Sequence, residues 1–343
     1  MRINFTTIIA SDPNEAKELK GAGATFPLPL YKAWFGAYGE KIGVKVGYDG
    51  IGSGSGIKAI QNREVDLAGS DAPMTDEQLS LAKGGEVLHI PTAFGAIVAP
   101  YNIPDVNRQL KFTGEVLAAI YLGEITHWND PRITADNPQL ASVNQRIITV
   151  HRGDGSGTTY GFTEYLSASS STWANKVGQG TSVSWPVGIG TEGNQGVANE
   201  VKDNPYSLGY VELSYAISEK MAYAQVKNRA GKFIEPSLET VTAAAAGASP
   251  PADLRFSIIN AGGERSYPIV TGTWVIVYKN QTDAAKATAL ARLLWFMTHD
   301  APQVSASLNY APVPKEITER SEQLIHQINT NGRPALNRSS RPN

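Results

Sequence analysis

The chain contains no cysteine. That absence removes disulfides, thiolate metal sites, a cysteine nucleophile and a cysteine-borne lipid anchor, and it leaves the compartment unread. Long hydrophobic runs are missing as well. The most apolar stretches, AFGAIVAP and TWVIVY, have the length of buried strands and fall short of the ~18 residues of a membrane span. Charge of one sign is not in excess: 30 Lys and Arg against 32 Asp and Glu give a formal net charge of −2. Nucleic-acid binding through the phosphate backbone needs a basic footprint, so that partner class is not expected. The 5 histidines (His89, His127, His151, His299, His326) are dispersed and form no H-x-x-x-H or H-E-x-x-H pair, so no metal site is expected either. The start, MRINFTTIIAS, has a basic residue and a short apolar patch but lacks the apolar core of about 7 to 15 residues of a complete signal peptide. It reads as a remnant of one or as an ordinary chain start.

What is present fits a soluble α/β protein. At 343 residues the chain exceeds the size at which one core stops growing, so two domains are expected. Hydrophobic residues make up 41% and charged residues 18%, and 33 Gly with 20 Pro imply many tight connections. The runs VKVGYD, VDLAGSDAP, VLHIPTAFGAIVAPYN, RIITVHRG, LGYVELSYA and WVIVYKN read as strands from their β-branched and aromatic content. Between them lie helical patterns. In PLPLYKAWFGAYG, Tyr31, Trp34, Phe35 and Tyr38 recur at i, i+3, i+4 and i+7, a single apolar stripe. Comparable helices are expected in GIKAIQNREV, TDEQLSLAKGG, GEVLAAIYLG, YGFTEYLSAS and ATALARLLWFMTHD, with Thr75 and Gln78 spaced as a capping box. Strand and helix alternate, which argues for α/β layers rather than a sandwich or a bundle.

Several stretches share one design, small or hydroxyl residues at a strand end followed directly by a helix: GAGATFP (21–27), GIGSGSG (50–56), GSDAP (69–73) and GDGSGTT (153–159). A helix start offers unpaired N–H groups and a partial positive charge, glycine lets the backbone approach closely, and Ser or Thr adds hydroxyl donors. Each stretch alone is compatible with a turn, a nucleophile loop, a nucleotide cradle or an anion pocket. In GAGATF, Phe26 stands where a dinucleotide fingerprint needs its third glycine, and no Gly-Lys-Ser/Thr completes a P-loop. Positions 154 and 158 are Asp and Thr, so Ser156 has no G-x-S-x-G elbow. A hydrolase pairing Ser156 with His151 and an adhesion protein acting through the RGD at 152–154 remain as rivals.

GAGATFPLPLYKAW, GIGSGSG, VDLAGSDAP, IYLGEITHWND, RGDGSGTTYGFTEYL and LGYVELSYA resemble, in order and spacing, the periplasmic phosphate-binding proteins that feed phosphate ABC transporters. The resemblance runs from about residue 20 to about residue 320. It implies an α/β fold of the two-lobed periplasmic binding protein type (type II), with two crossover strands and the ligand in the cleft between lobes. One lobe is expected at 20–91 with 267–331 and the other at 92–266. IPTAFGAIV and RSYPIVTGTWVIV are the expected crossovers, and 1–19 and 332–343 the flexible termini.

Carried over residue by residue, the resemblance implies phosphate ligands at Thr25, Phe26, Ser53, Asp71, Arg152, Ser156, Gly157 and Thr158. Asp71 would accept a hydrogen bond from the ligand itself, and Asp154 would orient Arg152 by an ion pair. Two positions depart from the commoner family pattern: GIGSGSG in place of GIGSSGG, and His151 and Gly153 where a second basic residue and Ala are frequent. The implied activity is binding without catalysis, with no cofactor and no metal, in the periplasm. The implied partners are phosphate and the membrane permease of an ABC transporter, with the protein itself a monomer. The alternative is a receptor for another tetrahedral oxyanion (arsenate, sulfate) or a phosphate ester.

Overall fold

ELKGAG forms the strand Glu18–Gly23 because parallel partners flank it, with Leu19 opposite Val46 on one side and Ala22 opposite Ala68 on the other. The computed structural model describes residues 3–8, 10–104, 106 and 108–336. The last part of the tail read as flexible, 337–343, lies outside them. The chain divides into two units: Met1–Phe94 with Ser249–Ser257 and Gly272–Asn343, and Gly95–Ala248 with Ile258–Thr271.

In the first unit the sheet runs in the order Val87–Val98, Val270–Tyr278, Leu67–Ser70, Glu18–Gly23, Lys45–Gly50. The helix Leu28–Ile42 buries Tyr31, Trp34, Phe35 and Tyr38, the stripe legible in the sequence, and ends where Gly43 adopts φ 79. The helix Ser53–Gln61 packs Ile57 and Ile60 into a core with Ala22, Met74, Trp274 and Ile276. The capping box is formed: Thr75 accepts from the Gln78 N–H while the Gln78 side chain accepts from the Thr75 N–H.

Within 1–19, expected as a flexible terminus, several described residues are tied to the fold. Thr6, Thr7 and Ile8 direct backbone N–H groups at the buried carboxylate of Asp300, the two threonine hydroxyls join them, and Arg292 pairs with the buried Glu15.

In the second unit the sheet order is Ala222–Tyr223, Pro100–Asn102, Ser207–Leu208, Ile148–Arg152, Ile189–Thr191. Helices Gly114–Tyr121, Gly157–Ser169 and Gly193–Asp203 belong to the same unit. Its aromatic nucleus stacks Phe162 on Tyr210 at 4.3 Å and Tyr210 on Trp185 at 5.8 Å.

Three local differences from the sequence reading are seen. LGYVELSYA is only partly extended: after the short strand Val211–Glu212 the chain turns into the helix Leu213–Ser218, because the Glu212 carboxylate caps the Ser214 N–H. The long strand reading of VLHIPTAFGAIVAPYN is interrupted at Ala99, which separates Val87–Val98 from Pro100–Asn102. Ser249–Ser257 is grouped with the first unit although its flanks belong to the second. Arg255 explains that excursion: its guanidinium donates to Met74 O at 2.9 Å and pairs with Asp76 and Asp253. Among the described residues no helix is long and apolar enough to cross a membrane.

Candidate functional site

The first unit gathers Thr25, Phe26, Ser53 and Asp71 through three strand ends lying side by side. Gly23 O accepts from both Ile51 N and Gly52 N at 2.9 Å, and Gly69 O accepts from Ala24 N at 2.8 Å. That closeness demands glycine: a Cβ on Gly56 would stand 2.5 Å from Gly23 Cα and 3.1 Å from Gly69 O. Gly56, which GIGSGSG shares with the commoner GIGSSGG, is therefore a packing requirement. Gly52, at φ 86, sets the start of the helix Ser53–Gln61, and no side chain caps this helix or the helix Leu28–Ile42. Two helix starts with N–H groups uncapped by side chains thus border the same loops, which favours negative charge there.

All four residues are buried, with Ser53 at 0% and Asp71 at 1% exposure. Phe26 is pinned from behind, its carbonyl accepting from the Tyr310 hydroxyl at 2.6 Å and its ring edge-on to Tyr310. Ser53 Oγ accepts the Asp71 N–H at 3.2 Å and lies 3.5 Å from Asp71 Oδ2. A buried carboxylate in a cluster of donors is electrostatically suited to receive a proton-bearing partner and costly to place against a bare anion.

The second unit gathers Arg152, Asp154, Ser156, Gly157 and Thr158 at the end of the strand Ile148–Arg152 and the start of the helix Gly157–Ser169. Arg152 is held on one side by Asp154, with Nε at 2.6 Å from Oδ1 and Nη2 at 2.5 Å from Oδ2, and its N–H donates to the Tyr210 hydroxyl at 3.0 Å. Burial pushes the Asp154 carboxyl up, but the hydrogen bonds and charge of Arg152, with the Gly193 N–H, prevail and hold it below the usual carboxylate range. The ion pair implied by the resemblance is present, and the guanidinium keeps donors beyond the fork that Asp154 occupies.

Ser156 caps its helix, accepting the Thr159 N–H at 3.0 Å, while its own N–H is committed to Thr181 O at 2.7 Å. What Ser156 can offer a ligand is therefore its hydroxyl proton. Thr158 and Ser156 are both fully buried.

His151 does not join Ser156. Its Nδ1 donates to Arg152 O at 3.0 Å, its ring stacks on Trp185 at 4.8 Å, and burial lowers its basicity. Among the described residues no hydrogen bond links the two, so the nucleophile–base contact of a hydrolase is not formed. The RGD tripeptide is not presented either, because the Arg152 side chain is 1% exposed and bound to the Asp154 of the same tripeptide.

Sequence reasoning missed Gly193, Asn194 and Tyr210. The strand Ile189–Thr191 pairs in parallel with Ile148–Arg152, setting Thr191 opposite Arg152, so the next turn lies beside GDGSGT. There the Gly193 N–H reaches Asp154 Oδ1 at 3.3 Å and Asn194 Nδ2 reaches Thr158 Oγ1 at 3.1 Å. The only sequence signal was the small, turn-prone pair Gly-Asn after a short strand.

A family model described as PBP superfamily domain matches residues 9–300. The phosphate-binding protein PstS of Xylella fastidiosa (strain 9a5c) is 38% identical over 322 residues, covering 93% of this chain and 88% of that protein. The protein of the same name from Haemophilus influenzae is 40% identical over 308 residues, covering 88% and 91%. Among solved structures, a high affinity periplasmic phosphate-binding protein (PfluDING) bound with phosphate superimposes with a TM-score of 0.72 at 20% identity, covering 88% of this chain and 92% of that one. A phosphate binding protein from Stenotrophomonas maltophilia gives 0.68 at 18% identity, covering 90% and 94%. At such identities the structural likeness establishes the fold, the α/β binding-protein architecture anticipated from the sequence.

Proposed function

Because this chain belongs to the PBP superfamily, in the family of the phosphate-binding proteins PstS, we propose that it binds inorganic phosphate outside the cytoplasm. It then delivers the ion to the permease of an ABC transporter, as a monomer and without catalysis. The proposed phosphate ligands are Thr25, Phe26, Ser53 and Asp71 in one unit and Arg152, Ser156, Gly157 and Thr158 in the other.

One observation carries the reading: Asp71, 1% exposed, sits among hydroxyl and helix-start donors that are arranged for an anion. A carboxylate facing an anion repels it unless the anion brings a proton. Monohydrogen phosphate has that proton and sulfate does not. A buried acceptor left without its partner discriminates by roughly 10⁴ to 10⁵. Arsenate carries the same proton, so this logic admits it.

The single arginine does not neutralise a dianion, and its charge is already shared with Asp154. Most of the stabilisation must come from N–H and O–H dipoles at roughly 1.5 to 3 kcal/mol for each charge-assisted bond. Several such bonds exceed an association cost of at least ~4 kcal/mol by enough to reach the roughly −8 kcal/mol of a micromolar constant. Competition titration tests the ligand class: phosphate displaced by arsenate and untouched by sulfate or a phosphate monoester supports inorganic hydrogen phosphate, whereas displacement by sulfate removes the role given to Asp71.

A further inference from the structure

We propose that Asn194 is a positioning residue for anion binding, one that fixes the Thr158 hydroxyl as a donor. The inference rests on the reading of Thr158 as a phosphate ligand.

Three of the hydroxyl residues assigned to phosphate share a feature. Ser53 Oγ accepts the Asp71 N–H at 3.2 Å, Ser156 Oγ accepts the Thr159 N–H at 3.0 Å, and Thr158 Oγ1 accepts Asn194 Nδ2 at 3.1 Å. A hydroxyl has one proton and two lone pairs. Once an N–H occupies a lone pair, the proton turns away from that N–H, and the oxygen is set to donate on its other side. For Ser53 and Ser156 the orienting group is backbone and beyond the reach of substitution. For Thr158 it is a side chain, so here the orientation is a property of one residue.

The amide of Asn194 cannot be reversed without loss. Its Oδ1 accepts the Glu212 N–H at 2.8 Å, and a backbone N–H can only donate, so the oxygen must face Glu212 and the NH₂ must face Thr158. Asn194 is 0% exposed, which denies water as a substitute partner on either side. The same turn supplies the Gly193 N–H to Asp154, so the start of the helix Gly193–Asp203 supports both the arginine clamp and the Thr158 donor.

The test is calorimetric phosphate binding by Thr158→Val, Asn194→Ala, Asn194→Asp and the two double variants, with melting of each phosphate-free protein to register folding. Thr158→Val is expected to weaken phosphate about 10- to 100-fold, as loss of one charge-assisted bond requires. Asn194→Ala is expected to cost about tenfold in the parent and less than about twofold beside Thr158→Val, since there is then no hydroxyl to orient. Asn194→Asp keeps the shape and the acceptor for the Glu212 N–H but presents an acceptor to Thr158. Its cost is expected to exceed that of alanine in the parent and to shrink in the valine background. Equal losses from Asn194→Ala in both backgrounds, or parental affinity in Asn194→Asp, overturn the positioning role. Parental affinity in Thr158→Val removes Thr158 from the ligand set and the proposal with it, while leaving phosphate binding itself intact.

Discussion

Asp154 spans the Arg152 guanidinium with both carboxylate oxygens, at 2.6 Å to Nε and 2.5 Å to Nη2, while the arginine side chain is 1% exposed. The pair keeps a buried cation in one orientation and leaves only part of its charge for a ligand. Asp154→Ala leaves that cation without a partner, a change that costs about 3 kcal/mol in comparable buried pairs. The expected outcome is a lower melting temperature without phosphate and a larger rise on adding it, because the anion then supplies the missing partner. Melting curves with and without phosphate check this. An unchanged phosphate-free melt contradicts it.

Asp71→Asn replaces the acceptor by a group that can also donate. Phosphate affinity should fall and sulfate affinity should rise, narrowing the selectivity, since the charge repulsion against an unprotonated dianion is gone. Parallel titrations with both anions provide the check, and selectivity as wide as in the parent contradicts the assignment.

The glycines of the loops separate cleanly. Gly56→Ala places a Cβ 2.5 Å from Gly23 Cα and is expected to destabilise by about 2 kcal/mol through overpacking, with weaker phosphate binding as the neighbouring loops part. Gly153→Ala meets nothing nearer than 3.5 Å. It should be tolerated, with stability unchanged or raised by about 0.4 to 1 kcal/mol through the unfolded chain. Denaturant unfolding of the two variants distinguishes them, and equal damage contradicts the packing argument.

His89 gives a pH signature. Burial first, then the charge of Arg255, lowers its pKa from 6.5 to about 3, and its Nε2 accepts the Met74 N–H at 3.1 Å. The unfolded chain therefore binds a proton between those values that the folded protein refuses. The contribution of this group is fully present above pH 6.5 and is lost as pH falls toward 3, by at most about 1.4 kcal/mol per pH unit. His89→Gln, which keeps an acceptor, should flatten that part of the stability profile. An unaltered slope contradicts the assignment.

The sequence displayed what is local. The stripe on Leu28–Ile42 shows in the recurrence of Tyr31, Trp34, Phe35 and Tyr38, and the capping box in the spacing of Thr75 and Gln78. What it concealed depends on partners remote in the chain. Asn194 meets Thr158 across 36 positions, and Arg255 meets Met74 across 181. Neither pairing leaves a periodic trace. The helix Leu213–Ser218 was hidden for the opposite reason: its β-branched and aromatic lead-in looks extended until the Glu212 carboxylate caps the turn. The local motifs and the partners remote in the chain thus carry different information, the first about turns and helix starts and the second about the contacts that hold them.

The most direct test of the central claim is isothermal titration of the phosphate-stripped protein, first with phosphate and then with sulfate, at neutral pH. Saturable one-to-one binding of phosphate and no heat of binding with sulfate are the expected results. Silence toward phosphate, or comparable affinity for sulfate, would contradict the claim.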